Sequence, residues 1–280
     1  MVDAFCTAMS NLMVINRKES IMSVQDLINL KDKIAIVTGA SRGLGSAFAV
    51  ALAEAGAHVV ITSRHGSELK DTAGKIKNTG REVLELESDI SNEDNIIEMV
   101  DKTVGRFGTV DILVNNAASM RIDKAPEDTS LDEWKSVIDP NITGVFLCSR
   151  EAAKIMKKQK KGKIINISSA AAYDVLKYFH GGSYEVTKTA IIMMTKVLAT
   201  EWAPYNINVN AIAPGYYNTV PNQKFLKKEP GLYDKVLDMI PLRKLGAIEE
   251  LAGLLVVMAS DISNYMTGTT VTIDGGYTCW

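Results

Sequence analysis

Residues 33–45 read Lys-Ile-Ala-Ile-Val-Thr-Gly-Ala-Ser-Arg-Gly-Leu-Gly. The apolar run at the start is typical of a strand buried on both faces of a sheet. Glycines follow it, and the alanine-rich stretch from Ser46 to Ala55 predicts a helix that ends at Gly56. A strand, a glycine turn and a helix start bring free backbone N–H groups to a point where a pyrophosphate can bind. The alternative is a tight turn that needs glycine geometry and binds nothing.

Strand-like and helix-like segments alternate through the rest of the chain. Further strands are predicted at residues 58–62, 82–86, 110–114, 163–167, 207–212 and 270–273. Helices are predicted at residues 68–77, 93–107, 131–158, 183–203 and 248–260. Because parallel neighbours need crossover helices, this alternation predicts an α/β fold with a doubly wound, parallel, seven-stranded sheet.

The alternation also defines the expected domain organisation. No linker rich in proline, glycine or serine interrupts it, so we expect an N-terminal extension over residues 1–30 and one domain over residues 31–280. Residues 216–246 break the rhythm after the sixth strand. An insertion at the carboxyl end of a strand is where a lid would lie, so a small lid is expected there.

Composition excludes several classes of protein. The 31 basic and 33 acidic residues give a net charge of -2, which argues against broad nucleic-acid binding. No apolar stretch approaches the length needed to cross a bilayer, so no membrane partner is expected. Cys6, Cys148 and Cys279 have neither metal-ligand nor disulfide spacing. We therefore expect a cytoplasmic protein without a metal site.

The end of the second predicted strand bears on the choice of dinucleotide. A site for NAD usually has an acid about 20 residues after the glycines, whereas this chain has Ser63-Arg64-His65. Arg64 and Arg42 can instead pair with a 2′-phosphate through charge-assisted hydrogen bonds. NADP(H) is therefore preferred, NAD(H) stays possible, and the alternative is that Arg64 is a solvated loop residue.

A tyrosine and a lysine lie one helical turn apart after the fifth predicted strand. In Tyr184-Glu-Val-Thr-Lys188 the phenol and the ammonium share one helix face. The fifth strand ends at Ser168-Ser169, which brings hydroxyls to the carboxyl edge of the sheet. A phenol has a pKa near 10, and a close ammonium favours its ionised form. A Tyr-x-x-x-Lys pair alone is common and indicates little, and its value comes from the serine-ended strand and the dinucleotide turn in the same chain.

Together these motifs resemble the short-chain dehydrogenase/reductase family over about residues 30–280. The resemblance also rests on Asp89, Asn115-Asn-Ala-Ala118, Asn141, and Pro214-Gly215 with Thr219. It implies a Rossmann sheet in the order 3-2-1-4-5-6-7 and, usually, a homotetramer. It further implies hydride exchange with a nicotinamide cofactor and catalytic roles for Ser169, Tyr184, Lys188 and Asn141. Asn141 would hold a water that connects Lys188 to solvent, and Ser169 would donate to the substrate oxygen.

The glycine loop and this resemblance together predict the cofactor site. Its expected residues are Gly39, Ser41, Arg42, Gly43, Leu44, Gly45, Ser63, Arg64, Asp89, Ile90, Asn116, Ala117, Tyr184, Lys188, Pro214, Gly215 and Thr219.

The chain departs from the family pattern at two points. Ala118 occupies a position where glycine is usual. The spacing from Ser169 to Tyr184 is longer than is common, which predicts a larger substrate-side loop over residues 173–182 and leaves Ser168 as a stand-in for Ser169.

The substrate class is indicated only by resemblance. Residues 202–210 and 274–280 resemble the branch of the family that oxidises sugars and gluconate, which favours a sugar, polyol or aldonate as the small-molecule substrate of a gluconate 5-dehydrogenase-like enzyme. The runner-up is a 3-oxoacyl-[acyl-carrier-protein] reductase. The third alternative is a non-catalytic NADP(H)-sensing protein, because fold does not fix function.

Overall fold

The sheet is built from buried, β-branched segments of the kind the sequence predicts. The computed structural model describes residues 23–120, 122, 124–175, 182–227 and 230–279. In these residues the strands are β1 (Ile34–Val37), β2 (His58–Ser63), β3 (Val83–Glu87), β4 (Ile112–Asn115), β5 (Gly162–Ile167), β6 (Ile207–Pro214) and β7 (Thr270–Ile273). They form a seven-stranded sheet in the order β3-β2-β1-β4-β5-β6-β7, and every pairing in it is parallel. The predicted fold class and strand order are confirmed.

Helices connect the strands and cover both faces of the sheet. They are α1 (Val24–Ile28), α2 (Gly43–Glu54), α3 (Lys70–Asn78), α4 (Glu93–Phe107), α5 (Leu131–Ile138), α6 (Val145–Gln159), α7 (Ser183–Trp202), α8 (Val220–Leu226), α9 (Leu232–Asp238) and α10 (Ile248–Ala259). Helices α2, α3 and α10 contribute buried side chains to the core on one face. Helices α4, α6 and α7 do the same on the other face. Burial on both faces explains why the strands are apolar throughout.

The helix predicted at residues 131–158 is interrupted. Between α5 and α6, residues Asp139–Gly144 form a turn of π-helix. Pro140 in this turn has no N–H to donate, which loosens the regular α-helical ladder. Gly144 packs so closely on the carbonyl oxygen of Ile90 that a side chain there would overlap it. Such π turns are often found at functional sites, and this one holds Asn141.

The segment after β6 is helical where the sequence pattern indicated only an irregular insertion. Helices α8 and α9 pack through Leu226, Leu232 and Val236 on Ala170 and Ala171, which follow β5. Tyr277, near the end of the chain, belongs to the same cluster, and Tyr184 packs against its edge. The predicted lid region therefore lies over the carboxyl end of β5, although residues 228 and 229 are outside the described residues.

Of the N-terminal extension expected at residues 1–30, the structure describes residues 23–30. Residues 1–22 lie outside the described residues. Helix α1 begins with a capping box in which Ser23 and Asp26 hydrogen-bond each other's backbone N–H groups. Leu30 is fully buried in the core and its N–H donates to the carbonyl of Ala55 at 2.9 Å. The last residues of the expected extension therefore pack on the sheet.

Candidate active site

The carboxyl ends of the parallel strands bring the predicted site residues to one edge of the sheet. The glycine loop follows β1, Arg64 follows β2, Asn116 follows β4, and Ser169 follows β5. In open α/β sheets, ligands bind in the crevice outside this edge. The edge is therefore the candidate active site.

The three glycines of the loop have different surroundings. Gly39 has a φ of +66°, and a Cβ there would lie 2.7 Å from the Cα of Ala117. A side chain at Gly45 would overlap the carbonyl oxygen of Gly39. Gly43 has a φ of +58°, but a Cβ there would meet no atom within 4 Å. Two of the glycines thus allow close packing of the loop, whereas Gly43 faces open space at the start of α2.

The segment after β4 holds the glycine loop in place. The N–H groups of Asn116 and Ala117 both donate to Thr38 Oγ1 at 3.1 Å. Asn116 Nδ2 donates to the carbonyls of Thr38 and Gly39 at 2.9 and 3.0 Å. The usual glycine is replaced by Ala118, which does not adopt a left-handed backbone. Alanine therefore fits this position without backbone strain.

Two arginines lie exposed beside this loop. Arg42 precedes α2 and Arg64 follows β2, and neither forms an ion pair with a described residue. The hydroxyl of Ser63, a predicted cofactor contact, is bonded within its own loop. It donates to the carbonyl of His65 at 3.0 Å and accepts from the N–H of His65 at 3.1 Å. The serine shapes the loop that carries Arg64.

The other candidates for cofactor contact are divided between the surface and the core. Ser41 and Leu44 are partly exposed in the glycine loop. Asp89 Oδ1 accepts the N–H of Ser91 at 2.9 Å. The remaining candidates are buried or tightly packed: Ile90, Pro214, Thr219 and Gly215, where a Cβ would lie 2.6 Å from the Cα of Asp274. In the chain, these residues lie at the end of β6 or in the segments that follow β1, β3 and β6.

Tyr184 and Lys188 meet as their spacing predicts. The Nζ atom of Lys188 lies 5.4 Å from the centroid of the Tyr184 ring. The lysine is 4% exposed and donates to the carbonyl of Ile167 at 2.8 Å. Burial lowers the pKa of Lys188 from 10.5 to about 8, because desolvation disfavours its charged form. A buried cation thus lies beside a partly exposed phenol.

The structure distinguishes the two serines at the end of β5. Ser168 is buried, and its hydroxyl donates to the carbonyl of Lys188 at 2.7 Å. Ser169 is partly exposed, and its Oγ accepts the N–H of Ala171 at 3.1 Å. Among the described residues no group accepts the Ser169 proton, so this hydroxyl can donate to a ligand. Ser168 instead ties α7 to β5.

Asn141 is buried in the π turn, and its side-chain amide contacts Ser119 and Thr187. Its Oδ1 accepts the N–H of Ser119 at 2.7 Å. Its Nδ2 donates to the carbonyl of Ser119 at 3.0 Å and to Thr187 Oγ1 at 3.1 Å. Both amide protons are therefore used within the protein. The amide group binds the segment after β4 to α7, and the water bridge from Asn141 to Lys188 stays a prediction.

Sequence reasoning missed Thr187. Its hydroxyl donates to the carbonyl of Tyr184 at 2.8 Å and accepts from Asn141, which links the π turn to the tyrosine. Its place just before Lys188 is the one signal in the sequence. Most of the enlarged substrate-side loop, residues 176–181, lies outside the described residues.

Comparison with known proteins shows the family to which the chain belongs. A family model described as enoyl-(acyl carrier protein) reductase matches residues 39–278. A 2-dehydro-3-deoxy-D-gluconate 5-dehydrogenase from Dickeya dadantii is 40% identical over 259 residues, which are 91% of this chain and 98% of the relative. The chain belongs to the short-chain dehydrogenase/reductase family. Its similarity to that relative supports the gluconate dehydrogenase branch.

Two further proteins are similar to most of this chain, one in sequence and one in fold. A 3-oxoacyl-[acyl-carrier-protein] reductase from Synechocystis is 38% identical over 249 residues, which are 88% of this chain and 97% of the relative. A short-chain type dehydrogenase/reductase from Mycobacterium marinum superposes with a TM-score of 0.87 at 37% identity, over 92% of this chain and all of that one.

Solved structures that are similar to this chain include one with NADP and one with NAD⁺. One from Agrobacterium tumefaciens with bound NADP has a TM-score of 0.82 at 32% identity, over 91% of this chain and all of that one. Xylitol dehydrogenase with bound NAD⁺ has a TM-score of 0.82 at 29% identity, over 88% of this chain and 99% of that one.

Family membership establishes the broad activity. The chain is an oxidoreductase that acts on CH–OH groups of a small molecule with a nicotinamide cofactor. A helix that could span a bilayer is absent from the part of the chain that the structure describes.

Proposed function

We propose that the chain is an NADP(H)-dependent dehydrogenase that interconverts a secondary alcohol and a ketone in a sugar, polyol or aldonate, as a gluconate 5-dehydrogenase does. The observation that carries the proposal is the buried ammonium of Lys188 at 5.4 Å from the Tyr184 ring, beside the available hydroxyl of Ser169. The similarity to a 2-dehydro-3-deoxy-D-gluconate 5-dehydrogenase supports the substrate class.

Each catalytic residue has a role that follows from its surroundings. The bound nicotinamide supplies or accepts the hydride. Tyr184 moves the proton of the alcohol, and the positive charge of Lys188 favours its phenolate form. Ser169 donates its hydroxyl proton to the substrate oxygen, since its own Oγ is already oriented by Ala171. Asn141 acts as a positioning residue that holds α7 through Thr187.

The residues at the carboxyl edge fit a dinucleotide. Gly43 offers open space beside the N–H groups at the start of α2, a suitable environment for a pyrophosphate. The ammonium of Lys188 has three protons and donates one of them to the carbonyl of Ile167, so the others can bind ribose hydroxyls. The ammonium of Lys188 would hold the nicotinamide ribose, and Arg42 with Arg64 would hold the 2′-phosphate.

We expect Arg64→Ala to lower kcat/KM for NADPH by about 10- to 100-fold and to leave kcat/KM for NADH within about threefold. The reason is that a guanidinium pairs with the phosphate that only NADPH carries. Initial rates with both cofactors in the wild type and the variant measure the effect. Arg81→Ala is the control, since Arg81 faces Asp32 at 3.7 Å elsewhere on the surface. A wild type that prefers NADH would end the proposed preference.

The lid region supports a hydroxylated, anionic substrate. Its helices line a groove of about 460 Å³ whose polar residues are Asn218, Gln223, Lys227, Tyr233 and Lys244. The groove has two ammonium groups and no carboxylate among its described lining residues. Leu226 belongs both to this groove and to the cluster that packs on Tyr184. We therefore propose that residues 216–246 act as the lid over the substrate.

The alternative substrate is a 3-oxoacyl thioester, favoured by the similarity to a 3-oxoacyl-[acyl-carrier-protein] reductase. We expect kcat/KM on gluconate, 2-dehydro-3-deoxygluconate or a polyol to exceed that on acetoacetyl thioesters by at least about tenfold. A substrate panel followed by the absorbance of reduced nicotinamide makes the comparison. Activity confined to thioesters would favour the alternative. A non-catalytic sensor has less support, because family membership indicates an enzyme.

The proposal extends to the oligomeric state of the protein and its place in the cell. We propose a homotetramer, by analogy with the family, and a cytoplasmic location, in keeping with three cysteines that have no disulfide spacing.

A further inference from the structure

A buried chain of hydrogen bonds lies beneath the glycine loop. Thr72, on the first turn of α3, is fully buried and donates its hydroxyl proton to the carbonyl of Ala40 at 2.9 Å. The hydroxyl of Ser46, on the first turn of α2, lies 2.7 Å from Thr72 Oγ1. The chain thus joins two helices to the centre of the loop.

The chemistry fixes the direction of these bonds. A carbonyl oxygen only accepts, so the single proton of Thr72 points to Ala40, and Ser46 must donate to Thr72. The N–H of Ala40 donates to the carbonyl of Thr62 at 2.9 Å. Both backbone polar groups of Ala40 are therefore held by residues outside the loop, although Ala40 lies between Gly39 and the exposed Arg42.

Helix α3 also follows the segment that carries Arg64. Residues Gly66–Leu69 form a short 3₁₀ turn that leads from this segment into α3. Within it, the N–H of Gly66 donates to Glu87 Oε2 at 2.9 Å. Thr72 is thus the point at which the element after Arg64 is bonded to the glycine loop.

We propose that Thr72 is a positioning residue for the dinucleotide, because its hydroxyl holds the glycine loop in its binding shape and ties it to the Arg64 segment. The inference rests on the dinucleotide site of the proposed function and is independent of the substrate. Preorganisation of this kind lowers the entropic cost of binding.

Removal of the Thr72 hydroxyl is expected to affect the glycine loop without unfolding the protein. Leu69, Ala73 and Ile76 anchor α3 in the apolar core. Valine has nearly the volume of threonine, so Thr72→Val preserves this packing but leaves the Ala40 carbonyl buried without its donor. The loop then relaxes, and a cofactor must restore its shape on binding.

The test measures cofactor binding without substrate. The dissociation constants of NADPH and NADH are obtained from the fluorescence of the reduced nicotinamide. We expect Thr72→Val to raise both constants about tenfold and Thr72→Ser, which keeps the hydroxyl, to leave both within about twofold of wild type.

Thr103→Val is the matched control. Thr103 is equally buried on α4, but its hydroxyl donates to Met99 of its own helix at 2.7 Å. Unchanged dissociation constants in Thr103→Val support the proposal. If Thr72→Val does not fold, Ser46→Ala is measured instead, with an expected rise of about threefold in both constants. The proposal is overturned if neither Thr72→Val nor Ser46→Ala raises the constants, or if Thr103→Val raises them as much.

The experiment also separates this inference from the proposed function. A wrong substrate leaves the binding constants untouched, because no substrate is present. A wrong preference for NADP(H) changes only the effect of Arg64→Ala, which is specific to the 2′-phosphate, whereas the effect of Thr72→Val is shared by NADPH and NADH.

Discussion

Tyr184→Phe is expected to lower kcat about a thousandfold while the dissociation constant of NADPH stays within about threefold. The substitution removes one hydroxyl and keeps the ring of Tyr184, a residue that packs against the cluster formed by Ala170, Leu226 and Tyr277. The fold is therefore preserved. What is lost is the proton relay, since no phenol then lies beside the ammonium of Lys188. Steady-state kinetics give kcat, and a fluorescence titration gives the dissociation constant.

The control for Tyr184→Phe is a tyrosine just after the other end of the same helix. Tyr205, in the 3₁₀ turn after α7, is 39% exposed and lies under the ammonium of Lys157. Tyr205→Phe should leave kcat within about twofold, because this tyrosine is distant from the carboxyl edge. Near-normal kcat in Tyr184→Phe would remove Tyr184 from the proton relay.

The parts of the fold that the sequence predicted correctly depend on burial. Residues Ile34–Val37 are buried on both faces, and a strand in that environment must be apolar at every position. The short helices α8 and α9 were missed because seven residues contain too few turns for a helical period to stand out. Pro140 indicated a disturbance in the long helix, but the π turn also depends on Gly144 packing against Ile90, which lies far away in the chain.

In the candidate site too, the sequence predicted some features and missed others. Tyr184 and Lys188 were found because a helix brings positions i and i+4 to one face. Side chains that form hydrogen bonds with residues far away in the chain leave no such pattern in the sequence. Thr72 contacts Ala40 across 32 positions, and Asn141 contacts Thr187 across 46. Only the packed structure shows that these side chains complete the hydrogen bonding of the backbone and side chains around the site.

Lys188 illustrates a conflict between activity and stability. At neutral pH the folded protein buries an ammonium, and its single described hydrogen bond to Ile167 only partly offsets the lost hydration. A fall in pKa from 10.5 to about 8 corresponds to about 3 kcal/mol of destabilisation while the group is charged. In the mechanism proposed above this charge favours the phenolate of Tyr184, so the cost serves the proposed catalysis.

Lys188→Met is therefore expected to be inactive and more stable. Methionine has a similar length and no charge, so the variant avoids about 3 kcal/mol of desolvation and loses about 1 kcal/mol from the bond to Ile167. The free energy of unfolding should rise by about 2 kcal/mol at neutral pH. Urea unfolding without cofactor, at one fixed protein concentration, measures it.

The pH dependence of this gain tests its cause. Below about pH 8, Lys188 is protonated in both the folded and the unfolded wild type, so the full cost is present. Between about pH 8 and its usual value of 10.5, the folded protein releases the proton first, the unfolded chain binds more protons, and wild-type stability rises with pH. The advantage of Lys188→Met should therefore shrink by about pH 10. Lys163, a second buried lysine whose pKa burial lowers to about 8, lies at the opposite edge of the sheet, so Lys163→Met should retain kcat. A gain in Lys188→Met that stays constant from neutral pH to about pH 10 would show that the buried charge is not its origin.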